Sequence, residues 1–128
     1  MVVLGIALAA VAAFIASSVY YAVVSPAERR ILGDAVLDRG RPTAWKVGTE
    51  LLRTMLVAAV FAWVADQAGR LSLPESLPLA LVLWAGFPVA LLTGSVVWEK
   101  VAPVTAAMHA GDWLLKLLLI AAIVGALH

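Results

Sequence analysis

Hydrophobic and polar positions divide this chain into four long apolar runs: Val2 to Val24, Trp45 to Ala65, Leu77 to Trp98 and Pro103 to Leu127. Each supplies the roughly 20 residues that cross the hydrocarbon layer of a bilayer. A backbone in hydrocarbon finds no water, so each run is predicted to be a helix that satisfies its own N–H and C=O groups. The fold class that follows is an all-α membrane protein, a four-transmembrane-helix bundle forming one domain over 1–128. Between the first two runs, Ser25 to Ala44 holds Glu28, Arg29, Arg30, Asp34, Asp38, Arg39 and Arg41. Pro26 suits the first turn of a new helix, so a short interfacial helix is expected over Ala27 to Leu37, ended by Gly40-Arg-Pro42. Asp66 to Ser76, with Gly69 and Pro74, reads as a polar turn. Trp98-Glu-Lys100 closes the third run and Pro103 opens the fourth, which predicts a tight antiparallel hairpin.

Composition sharpens this picture. The chain of 128 residues is 64% hydrophobic and 13% charged, with a net charge of +1. That balance offers no basic field for nucleic acid. Cysteine is absent, which excludes disulfides, thiol catalysis, Cys-ligated zinc and iron–sulfur clusters. Two histidines, one of them the last residue, do not make a metal or haem site, so no metal or cofactor is expected. The first run lacks a basic leader and is longer than a signal-peptide core, so it is read as a retained span. Arg29, Arg30, Arg39, Arg41, Lys46 and Lys100 flank one membrane face and Arg70 the other. The expected location is therefore a bacterial plasma (inner) membrane, with the first and third connections cytoplasmic and both termini on the outer side. Tyr20, Tyr21, Trp45 and Trp98 fall at the predicted cytoplasmic boundary and Trp63 near the other, as an aromatic belt requires.

Small residues mark helix faces. Gly5, Ala9, Ala13 and Ser17 recur every four residues in the first run, as do Gly86, Ala90 and Gly94 in the third. Such spacing lets backbones approach closely, either within the bundle or between copies in a homo-oligomer. Pro88, near the middle of the third run, is expected to kink that helix.

The candidate chemistry is a set of charges inside the spans. Lys46, Glu50 and Arg53 stand at i, i+4 and i+7 on the second helix, and His109, Asp112 and Lys116 at i, i+3 and i+7 on the fourth. Either spacing places its three residues on one helix face. Both helices start on the same side, so the two stripes lie in the same half of the membrane. Nine Leu, Ile and Val residues from Leu114 to Leu127 favour insertion by about 3–5 kcal/mol, whereas two central charges oppose it by about 5–7. Lys116 lies about 19 Å along a helix starting at Pro103, too deep to snorkel out. A buried network is therefore expected in which Glu50 and Asp112 balance Arg53 and Lys116, with His109 at its cytoplasmic edge. Ser17, Ser18, Tyr20, Thr93 and Ser95 fall in the same half, either lining a small polar cavity or bonding their own helix backbones.

Leu83-Trp-Ala-Gly-Phe87, Trp98-Glu99, His109-Ala-Gly-Asp-Trp-Leu114 and the pair Tyr20-Tyr21 resemble the small four-span membrane proteins grouped as a domain of unknown function, DUF1761. The resemblance implies a four-helix membrane domain and brings no activity, cofactor or catalytic residue with it. Three function classes remain. The first is a non-enzymatic structural or accessory component that self-associates or joins a larger membrane assembly, its charges fixing which helix faces which. The second is a small oligomeric transporter or channel using Glu50, Asp112 and Lys116 as a proton, ion or anion site. The third, an enzyme on lipid or quinone, lacks any visible nucleophile–base pair, and the protein is expected not to be an enzyme. The expected partners are the lipid bilayer and other membrane subunits.

Overall fold

A computed structural model of the chain describes residues 2–33 and 43–128. Helix one runs from Val2 to Leu32, helix two from Ala44 to Gln67, and helix four from Pro103 to Leu127. Helix three spans Ser76–Trp98. All four are long and apolar enough to cross a membrane.

The boundaries have local causes. Gly33 takes a positive φ of 57° directly after helix one, the left-handed conformation that ends helices and that glycine adopts without penalty. Gly69 does the same after helix two at φ 69°, where Arg70 N–H returns to the Ala65 carbonyl at 2.8 Å. Helix three closes on Lys100, at φ 58°, with Val101 N–H bonded back to the Ser95 carbonyl at 3.2 Å. Pro103 occupies the first turn of helix four, where its missing N–H costs nothing.

One expectation changes here and another takes a specific form. Helix one does not stop at Val24: it continues through Pro26 to Leu32, so residues 27–32 belong to it and not to a separate interfacial helix. A proline inside a helix removes one hydrogen bond, which other contacts of the same segment can offset. Glu28, 2% exposed, supplies one by accepting a hydrogen bond from the Thr105 hydroxyl at 2.7 Å. At 1.5 Å per residue the 31-residue helix is about 46 Å long, so it projects well beyond a hydrocarbon layer. The rest of that expected helix, with Asp34, Asp38, Arg39, Arg41 and the Gly40–Pro42 break, lies outside the described residues. At Pro88 the distortion takes the form of a π-helical turn, Ala85–Val89, in which one extra residue makes room for the ring.

Helix four is the central element. It packs along helix one and, on another side, against helix three, while helix two leans mainly on helix one. Toward the second connection these contacts form a core of Ala9, Ala13, Ala58, Ala62, Ala65 and Ala80 around Phe61, Leu117, Ile120 and Val124. Alanine at so many contact positions brings the backbones close, which is how helices associate in lipid. Gly5 and Gly125 continue that logic: a Cβ at Gly5 would meet Leu127 Cβ at 3.5 Å, and one at Gly125 would lie 3.0 Å from the Leu71 carbonyl oxygen.

The small-residue faces therefore part company. Gly5, Ala9, Ala13 and Ser17 are buried inside the chain's own bundle, which removes them as an oligomer face. Gly86 and Ala90 are exposed and Gly94 half-buried, and a Cβ at either glycine would meet nothing within 4 Å.

Candidate functional site

Toward the first connection the bundle is held by charge. Lys116 Nζ donates to Glu50 Oε1 at 3.1 Å and stands 3.2 Å from Asp112 Oδ2. It also lies 4.8 Å from the ring centroid of Trp113. An ammonium has three N–H donors, and here they face two carboxylates and one aromatic ring. Glu50 Oε2 accepts from Arg53 Nη1 at 2.7 Å. The four residues thus lie within ion-pairing distance in a chain that runs Asp112, Lys116, Glu50, Arg53. Exposure grades along it, from side chains 4% and 5% exposed at Asp112 and Lys116 to 34% and 60% at Glu50 and Arg53.

His109 joins from above. Its Nδ1 shares a 2.6 Å hydrogen bond with the Tyr21 hydroxyl, which also donates to Asp112 Oδ2 at 3.3 Å. The second Asp112 oxygen, Oδ1, is buried with no hydrogen-bond partner among the described residues. Lys46, the remaining member of the helix-two stripe, is exposed and lies 5.8 Å from the Trp45 ring centroid, away from the network. One further turn toward the aqueous phase suffices to release a lysine from burial.

Beside the network is a cavity of about 420 Å³ between helices one, two and four. Phe14 and Trp113 supply apolar wall, and Ser17, Ser25 and Arg53 supply polar wall. Other hydroxyls are spent locally: Ser18, Thr49, Thr54, Thr93 and Ser95 each donate to the carbonyl four residues earlier. Of the polar residues expected in this half, only Ser17 and Ser18 reach the cavity. Tyr20 donates instead to the Met108 carbonyl at 2.7 Å.

That bond belongs to a second arrangement, which reasoning from spacing missed. Trp84 Nε1 donates to the Ala110 carbonyl at 2.8 Å, so helices one and three each place an aromatic donor on the backbone of helix four at residues 108–110. Gly111 makes the approach feasible, because a Cβ there would collide with the Tyr20 hydroxyl. The signal was available in the aromatic and glycine positions that carry the family resemblance. Glu28 was missed as well, having been assigned to a surface connection. It lies about three helical turns beyond Ser17 on the continuation of the same buried face, and that period was its sequence signature.

The profile of the family described as "Protein of unknown function (DUF1761)" matches residues 4–125, nearly the whole chain. The protein belongs to that family. Neither a curated protein nor a solved structure matches it.

Proposed function

For this member of the DUF1761 family we propose a non-enzymatic role as a structural or accessory component of a bacterial plasma membrane. In this reading the buried charges orient helix four against helix two, and helix three offers its outer face to another copy or a larger assembly. The observation that carries it is the imbalance of burial: in an apolar 18-residue stretch of helix three 6% of the residues are buried inside the chain, against 39% for helix four. A helix that keeps Gly86, Ala90 and Gly94 on an open face is shaped for a close backbone neighbour. The pairing of Lys116 with two carboxylates fits a network that specifies helix order. The excess of basic residues at the first and third connections supports an orientation with both termini on the outer side.

Since the chain has no native cysteine, single cysteines at Gly86, Ala90 and Gly94 can be crosslinked in native membranes. Dimers at these positions, and none from Leu56→Cys on an exposed face of helix two, are the expected result. Equal crosslinking at all four positions, or none at any, would remove self-association. A reporter fused after His128 that is active only in the cytoplasm should stay silent.

The cavity favours a second reading, a small oligomeric transporter using Glu50, Asp112 and Lys116. Against it, the core around Phe61, Ile120 and Val124 fills the other half of the same chain. Replacing Asp112 and Lys116 together by Leu and Met would abolish flux through such a site and would leave an accessory subunit in its assembly.

A further inference from the structure

The cavity is not explained by a role in helix packing. A bundle that needed only its ion pairs would close over them, yet here about 420 Å³ stays open beside the network, within the range of ligand sites. What could occupy it follows from the hydrogen-bonding groups left unspent on its walls.

The carboxylates are already engaged by cations and by Tyr21, although each Glu50 oxygen keeps a second lone pair. Both Glu50 oxygens and Asp112 Oδ2 already receive donors. Asp112, which also lines the cavity, keeps its Oδ1 buried and without a hydrogen-bond partner among the described residues. The Lys116 ammonium is committed to its two carboxylates and the Trp113 ring. Beside them stands unspent donor capacity. Arg53 spends one terminal nitrogen on Glu50, leaving the rest of its planar fork available. Ser17 is 7% exposed and lines the cavity with a hydroxyl that makes no hydrogen bond among the described residues, and Ser25, half-buried, lines it too. A nearly buried, unbonded hydroxyl facing a cavity needs an acceptor.

We propose that this cavity binds an oxyanion, a phosphate or carboxylate group, with Arg53 as its charged anchor and Ser17 and Ser25 as additional donors. The Phe14 and Trp113 walls accept an apolar portion attached to it. A guanidinium fork matches the two oxygens of either group. Electrostatics at this end of the bundle agree: the described ends of helices one and two carry Arg29, Arg30 and Lys46 against Glu28, a surplus that draws anions to the adjoining membrane surface. The oxyanion comes either from a lipid headgroup or from a water-soluble solute.

The test is binding to the full chain in neutral detergent, read by native mass spectrometry and by the shift in thermal midpoint. The probes are phosphatidylglycerol, inorganic phosphate and, as a control without an oxyanion, diacylglycerol. Phosphatidylglycerol should bind, weakening about tenfold in Arg53→Gln, with Arg53→Lys in between and Arg70→Gln unchanged. That pattern assigns the lipid source. An Arg53-dependent response to inorganic phosphate instead assigns the soluble one. Ser25→Phe, which fills the cavity and leaves every ion pair in place, should abolish the same binding and decides the matter should Arg53→Gln unfold. Binding that ignores Arg53 and Ser25, equal retention of diacylglycerol, or no response to any probe overturns the proposal.

Discussion

Helix four passes through two environments that are held together differently. Near the second connection Ile120, Ala121 and Val124 have no exposed surface and meet alanines from the other helices. Near the first, the same helix buries Asp112 and Lys116 and is reached by an acid, a tyrosine hydroxyl and an indole N–H from three other places. In lipid, withdrawal from water does not drive helices together. One half therefore relies on close backbone contact, and the other on polar groups that have no better partner than each other. The first mechanism tolerates no added volume and the second no lost charge.

The largest effect should come from removing one buried charge. Lys116→Met leaves Asp112 without its cation while Glu50 keeps Arg53, and we expect a loss of about 3–5 kcal/mol in the detergent unfolding free energy. Adding Asp112→Leu to Lys116→Met should restore most of it, since a neutral apolar pair replaces an ionic one. A harmless Lys116→Met would show that charge does not hold this half.

The counterpart in the alanine half is Gly125→Ala. Its Cβ would lie 3.0 Å from both the Leu71 carbonyl oxygen and Ser76 Oγ, and 3.1 Å from Leu73 Cγ. Backbone cannot swing aside as a side-chain tip can, so we expect about 1–3 kcal/mol of destabilisation by thermal unfolding. Gly86→Ala and Gly94→Ala, where nothing lies within 4 Å, should leave the isolated chain's stability unchanged.

Gly111→Ala tests the boundary between the halves. The new methyl displaces the Tyr20 hydroxyl from the Met108 carbonyl, which should cost about 1 kcal/mol. In a Tyr20→Phe background the additional cost should shrink, and a double-mutant cycle showing no coupling would place the two apart. A further effect is a gain. Lys100 holds φ 58° without being glycine, so Lys100→Gly should stabilise the hairpin by about 1 kcal/mol, seen as a raised thermal midpoint.

Much of this was legible beforehand because membrane helices are constrained one at a time. The limits of helix four, from Pro103 to Leu127, follow from a proline at the start and an apolar run. Glu50, Arg53, Asp112 and Lys116 could be grouped by depth alone, since charges in hydrocarbon have few places to go. Glu28 escaped that reasoning because Pro26 looked like a beginning, and a proline's role depends on whether the segment beyond it finds contacts. Thr105 supplies that contact from the neighbouring helix.

By itself, the sequence determined that four helices span a membrane and which residues each turns to a common face, because helix geometry and the cost of an unpaired backbone in lipid act locally. Only the tertiary structure decided that the Gly5 stripe is consumed within the chain while the Gly86 stripe is not. It also decided that Tyr20 and Trp84 converge on helix four and that a cavity remains beside the charges. Those outcomes depend on which helix lies next to which and how closely, and close packing of side chains from separate segments is not written in the period of any one of them.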